Sequence, residues 1–292
     1  MKPLQASSGD LTADRRADFA EMLLASGEPA QAAELLLGAL ELAPRWAAGW
    51  FRLGEMQEAA DRLDQAAQAW VMVLKLDPAD RLGAALKLQL IGKAPASPAP
   101  PSAFVETLFD HYADSFEESL VGKLGYRLPD FLGQAIRGTG LMGERLRPFV
   151  DRLEGYDISA AMLSKAKAKG IYDLLAKADL QHFSHSGAGA DLVVAADVFI
   201  YLGALERIVG AVVGTLAEDG LIAFSLETLA GSDDFALRPS RRYAHSEAYA
   251  RRVLSANGLA VLSLESVVIR HDRHDPVEGL AIVAGFAAAS AG

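Results

Sequence analysis

Apolar positions change their spacing twice along this chain. From Leu11 to about Ile91 they recur roughly every three to four residues, the period of amphipathic helices. The stretch Ala94-Pro95-Ala96-Ser97-Pro98-Ala99-Pro100-Pro101-Ser102 then breaks the pattern with closely spaced prolines and reads as a semi-extended linker. Beyond it Phe109, Tyr112 and Phe116 share one helix face, which fits either a core stripe or a lid over a ligand. From Leu153 onward short apolar runs alternate with helical stretches. Strands are expected at Leu153 to Ile158, Leu174 to Leu180, Asp191 to Ile200 and Leu221 to Leu226, with helices between them. Two β-rich runs, Ala260 to Arg270 and Val277 to Phe286, close the chain as an antiparallel pair joined by a short charged loop. Alternating strands and helices predict a mainly parallel sheet covered on both faces. The expected domains are residues 11–93, a linker at 94–102, and residues 103–287.

The helical third repeats. Pro44 and Pro78 lie 34 residues apart, and aligning on them pairs Ala32 with Ala66, Leu36 with Trp70, and Ala20 with Gly54. Small residues let two helices approach, large ones fill the groove between them, and proline ends the second helix. Gly27-Glu28-Pro29 and Ala60 to Asp64 supply the turns, and a third helix from Arg81 to Ile91 caps the stack. With Trp50, Leu53, Gly54, Ala66 and Pro78 in the second unit, this part resembles a tetratricopeptide array. The resemblance implies a groove that docks a protein or peptide; a stabilising or dimerising appendage is the other use of such a stack.

Charge and composition narrow the function. Apolar residues make up 51% of the chain and charged ones 23%, a core-forming balance, and a net charge of −10 disfavours nucleic acid, which requires a basic face. No cysteine is present, so disulfides, thiolate metal sites and cysteine nucleophiles are excluded, and the six histidines show no metal spacing. Residues 1–10 hold no apolar signal core, and no apolar run approaches a membrane span of about 20 residues. A soluble cytoplasmic protein without a membrane or nucleic-acid partner is expected.

The chemistry centres on Gly138-Thr139-Gly140-Leu141-Met142-Gly143, a glycine turn opening a helix, with Asp157 at the end of the following strand. Glycines let backbone approach a ligand, and an acidic side chain at a strand end suits ribose hydroxyls. Taken alone this is also the dinucleotide fingerprint, which keeps a nicotinamide-dependent oxidoreductase open. The whole set, Gly138-Thr139-Gly140, Asp157-Ile158-Ser159 with Met162, Ala178-Asp179-Leu180, Leu192 to Asp197, Asp219-Gly220 and the terminal hairpin, occurs in one order. It resembles the class I S-adenosylmethionine-dependent methyltransferases, in particular bacterial ones with N-terminal tetratricopeptide repeats.

That resemblance implies α-helical repeats followed by an α/β Rossmann-like domain with a C-terminal antiparallel hairpin, and S-adenosyl-L-methionine as cofactor. It implies that Gly138, Thr139 and Gly140 face the methionine part of the cofactor, Asp157 takes the ribose hydroxyls, and Ile158 and Met162 hold the adenine. Asp179 and Leu180 would meet the adenine amino group, and Asp197 the region of the transferred methyl. Tyr243 and His245 are candidate bases or orienters for an acceptor that must lose a proton, and Arg238, Arg241 and Arg242 could bind an acidic one. The acceptor, a protein or a small molecule, is not specified. One departure stands out. The family pattern has an apolar strand and an acidic D-x-G start before the glycines, whereas Pro129 to Ile136 has helical character. The first strand of the sheet is therefore expected to be missing and cofactor binding impaired, which leaves an inactive repeat-containing scaffold as the alternative.

Overall fold

The computed structural model describes residues 7–113, 142–185, 187, 189–272 and 275–287. Gly138, Thr139 and Gly140, and whether a strand precedes them, lie outside the described residues, as does Phe116. The chain divides into two compact units, Met1–Ser97 and Pro98–Gly292, within the proline-rich stretch.

The first unit is helical. Helix α1 (Leu11–Ala25) packs on α2 (Pro29–Leu42), α3 (Ala47–Ala59) on α4 (Leu63–Leu76), and α5 (Ala84–Leu90) on α4. Asp10 caps α1 by accepting from the Thr12 and Ala13 amides at 2.8 and 2.9 Å. The small residues sit where the pattern requires them. Ala13, Ala20, Ala32 and Ala66 are fully buried, and Gly54 lies so close to the Trp70 ring that a Cβ there would collide with it. Trp70 is itself fully buried and donates from Nε1 to the Phe51 carbonyl at 3.2 Å.

The second unit begins with α6 (Ser102–Tyr112), then α7 (Met142–Leu146), β1 (Glu154–Asp157), α8 (Ala160–Ala168), β2 (Leu174–Lys177) and β3 (Ala190–Ala195). Helix α9 (Glu206–Val213), β4 (Leu216–Thr228), β5 (Phe235–Leu237), β6 (Tyr243–His245), α10 (Glu247–Ala256), β7 (Leu259–Asp272) and β8 (Asp275–Phe286) complete it. Strand β4 organises the larger sheet. It pairs in parallel with β3, antiparallel with β8, and through Glu227 and Thr228 in parallel with β6. The β7–β8 hairpin is antiparallel, as its short connection requires. Strands β1 and β2 form a separate parallel pair. Among the described residues no strand joins β1 to β3.

Burial follows this division. Ile208, Val209, Val212, Tyr249, Val253 and Leu254 pack from α9 and α10 against Phe224, Leu226 and Ile282 in one continuous core. Strand β3 has the sequence of a strand buried on both faces, yet Leu192, Val193 and Val194 are only half-buried. Strands β1 and β2 contain no buried residue among those described, and neither does α8. Three sequence expectations are corrected. The strand expected to run to Ile200 ends at Ala195, and the one expected to run to Leu180 ends at Lys177. Residues 235–245, with no alternating run long enough to register as strands, form the small β5–β6 hairpin. It turns through Arg241 at φ 62°, with the Arg238 amide donating to the Arg242 carbonyl at 2.8 Å.

Candidate functional site at the C-terminal ends of the parallel strands

Ligands of doubly wound folds bind beyond the carboxyl ends of the parallel strands. A carboxylate stands at or near the end of each of these strands: Asp157 ends β1, Asp179 follows β2, Asp197 follows β3, and Glu227 lies one residue from the end of β4. Asp157 accepts from the Ser159 amide at 2.7 Å through Oδ1. Burial pushes its carboxyl above the ordinary range, and the nearby Asp110 charge adds to this. Ser159 caps α8, accepting from the Met162 amide at 3.1 Å, which fixes Ile158 and Met162, both half-buried, next to Asp157.

Asp179 caps the short 3-10 turn Leu180–His182. It accepts from the Gln181 amide at 2.9 Å, the Ser102 hydroxyl at 2.6 Å and the His182 ring at 3.2 Å. Burial alone would raise its carboxyl, but these three hydrogen bonds outweigh it and hold the group below the usual range. Leu180 packs against the main core.

Asp197 occupies a left-handed backbone conformation, φ 57°, unusual for a residue with a side chain. Its amide donates to the fully buried Ser225 hydroxyl at 2.8 Å. Its carboxylate accepts from Arg270 Nη1 at 2.9 Å, and Arg270 Nη2 donates to Glu227. Arg270 is 2% exposed, and its Nε has no partner among the described residues. A bulge in β7 between Val268 and Arg270 lets this arginine reach the ends of β3 and β4. Arg242 Nε donates to the Tyr201 hydroxyl at 3.3 Å, and Tyr201, Asp197 and Glu227 together outweigh burial and favour the charged guanidinium.

Helix α6 links these strand ends. Ser102 bonds Asp179, Asp110 accepts from Ser159 Oγ, Glu106 pairs with Lys177, and Phe109 meets Tyr201 edge-on with ring centroids 5.1 Å apart. The aromatic face expected of this segment is thus split: Phe109 packs on Tyr201, whereas Tyr112 is 40% exposed.

Tyr243 and His245 are corrected from candidate bases to core residues. Both are fully buried. His245 Nε2 lies 3.0 Å from the Gly203 carbonyl, its ring stacks on Tyr249, and burial lowers its pKa to about 4. Nδ1 is buried with no partner among the described residues, so the imidazole is neutral and sealed from any acceptor. Tyr243 is pushed up to about 12 by burial.

The structure thus groups Asp157, Ile158 and Met162 at the end of β1, with Asp179 and Leu180 beyond β2 and Asp197 beyond β3; α6 links these groups through Ser102–Asp179, Asp110–Ser159 and Phe109–Tyr201. Sequence reasoning missed Arg270, Glu227, Tyr201, Ser102 and Asp110. A usable signal was present for two of them: Glu227 directly follows the apolar run Leu221 to Leu226, and Arg270 ends another, where an unpaired charge would be costly. Among the described residues no cluster of His, Cys, Asp or Glu could hold a metal ion, and no helix is long and apolar enough to cross a membrane.

Residues 137–224 match a family model described as a methyltransferase domain. Comparison with curated proteins finds no significant match. Among solved structures, an S-adenosylmethionine-dependent methyltransferase from Clostridium acetobutylicum is similar at 15% identity and TM-score 0.45, over 61% of this chain and 99% of that one. Magnesium protoporphyrin IX methyltransferase from Synechocystis, with bound S-adenosylmethionine, is similar at 16% identity and TM-score 0.40, over 70% and 90%. The cyclase SpnF is similar at 12% identity and TM-score 0.47, over 66% and 97%. At such scores the likeness carries no argument; residues 137–224 are similar to a methyltransferase domain, and the second unit is an α/β domain with a mixed sheet.

Proposed function

We propose that the chain is an S-adenosyl-L-methionine-dependent methyltransferase acting on a protein or small-molecule acceptor. The observation that carries this is the coincidence of the methyltransferase match at 137–224 with an aspartate at or two residues beyond the end of each successive strand, Asp157, Asp179 and Asp197. The residues fit the cofactor. Asp157 uses Oδ1 for the Ser159 amide, which leaves its second oxygen for a ribose hydroxyl, and Ile158 and Met162 flank it with apolar surface. Gly138, Thr139 and Gly140 are assigned to the methionine portion, and Asp179 with Leu180 to the adenine edge. Asp197, held by Arg270, faces the reacting end.

When bound, the cofactor supplies an electrophilic sulfonium methyl. The chain's own work is to orient the acceptor and keep water out, so no catalytic triad is required. Isothermal titration of the full chain with S-adenosylmethionine tests the reading, followed by transfer of a labelled methyl to fractionated acceptors. Binding lost in Asp157→Ala supports it; no binding by the unaltered chain sinks it.

One observation favours a weakened site and, as its extreme, an inactive scaffold: the Ser102 hydroxyl already occupies Asp179. In either case the first unit is proposed to be a tetratricopeptide stack that docks a protein or peptide, supported by the 34-residue spacing and the buried small residues. A cytoplasmic location is proposed on the cysteine-free composition.

A further inference from the structure

The β5–β6 turn places three arginines, Arg238, Arg241 and Arg242, within five residues of a chain whose net charge is −10. All three are half-buried. Such side chains ordinarily find a carboxylate when solvent is withdrawn, as Arg52 does with Glu21 and Glu55 and Arg270 with Asp197 and Glu227. Among the described residues neither Arg238 nor Arg242 makes such an ion pair. Arg238 donates to the Thr228 carbonyl at 3.3 Å. Arg242 donates from Nε to the Tyr201 hydroxyl at 3.3 Å, a long bond to a neutral group, and its centre lies 5.9 Å from the same ring.

The position of Arg242 matters more than its charge. Tyr201 follows β3 in the same turn region as Asp197, so the bond from Arg242 to the Tyr201 hydroxyl places the guanidinium beside the end of β3, where the Asp197 and Glu227 charges act on it. We infer that Arg242, steadied by Tyr201, is the docking group for a carboxylate carried by the methyl acceptor. The ligand class is therefore an organic acid.

The charge count favours a carboxylate over a phosphate. Asp197, Glu227, Arg270 and Arg242 sum to zero, so the site tolerates one added negative charge better than two. The two terminal nitrogens of Arg242 match a planar carboxylate in a fork, a geometry a lysine cannot offer. The inference rests on the methyltransferase reading only for the identity of the ligand as acceptor; anion binding by Arg242 is measurable without it.

The test is a thermal-shift titration of the full chain with benzoate, phenylacetate and succinate, each against its amide counterpart, and with inorganic phosphate as a separate arm. Carboxylates are expected to raise Tm while the amides do not, with apparent affinity at least ~10-fold weaker in Arg242→Gln and intermediate in Arg242→Lys. Arg207→Gln, an exposed helix arginine, is the control and should leave the titration unchanged. Equal responses to acid and amide, a stronger response to phosphate, or an unchanged titration in Arg242→Gln would each overturn the inference. If Arg242→Gln does not fold, Arg242→Lys decides: unaltered affinity in that variant counts against the forked contact. Titration with S-adenosylmethionine in parallel separates failure of this site from failure of the cofactor reading.

Discussion

The two halves of the second unit, each with an aspartate at or beyond its strand ends, differ in packing. Strands β4 and β8 with α9 and α10 enclose Phe224, Ile282, Val253 and Tyr249, each no more than 3% exposed. Strands β1 and β2 with α8 have no buried residue among those described, and Leu174 is 39% exposed. The first half holds Asp197 by a buried guanidinium and a strained backbone. The second holds Asp157 and Asp179 through caps and through side chains of α6. On the proposed reading, stability is concentrated where the reacting end of a cofactor would lie, and the nucleoside end would rest on the more weakly packed pair of strands.

Substitutions in the two halves should separate these roles. Ile282→Ala in the packed half should cost about 3 kcal/mol, against under about 1 kcal/mol for Leu175→Ala in β2, both measured by denaturant unfolding. Equal costs would erase the distinction. Arg270→Ala should destabilise by about 3 kcal/mol, because it strands Asp197 and Glu227 as buried unpaired charges, whereas Arg152→Ala at the exposed start of β1 should change little.

The packed half should also dominate the acid response. His245 has an ordinary pKa of 6.5 and a folded value of about 4, so the unfolded chain takes up its proton first. Native stability should fall as pH drops from 6.5 toward 4, and His245→Gln should flatten that slope. An unchanged slope in the variant would show that His245 is not the neutral core group described. The smallest effect is expected from Ser102→Ala, which removes one hydrogen bond to Asp179. Tm should shift by a degree or two, and affinity for S-adenosylmethionine should rise if the Ser102 contact competes with ligand.

Much of this was legible in the sequence, for identifiable reasons. The helical unit showed itself because small and large residues recur at a fixed period, as with Gly54 under Trp70. The end of β1 at Asp157 could be placed closely, whereas the apolar run continues past Asp197 to Ile200 and hid the end of β3 at Ala195. The β5–β6 hairpin could not, since Phe235–Leu237 and Tyr243–His245 are too short to show alternation. The same blind spot made His245 look like a candidate base rather than a core residue. Arg270 was hidden for another reason: its partners are 73 and 43 residues away, and only the β7 bulge and the folded sheet bring them together. The Ser102–Asp179 and Asp110–Ser159 contacts are likewise products of tertiary structure, invisible to any local pattern.

The central claim is that Asp157 presents a cofactor carboxylate on the weakly packed half. Isothermal titration with S-adenosylmethionine of the full chain and of Asp157→Ala tests it most directly. Burial already disfavours the ionised Asp157, so the variant loses chiefly the hydrogen bond to the Ser159 amide and should remain folded, with Tm lowered by a few degrees at most. The account predicts saturable but weakened binding, with Kd on the order of 0.1 mM, by the unaltered chain and none by the variant. Micromolar affinity would refute the weakening, and equal binding by both proteins, or none by either, would contradict the claim itself.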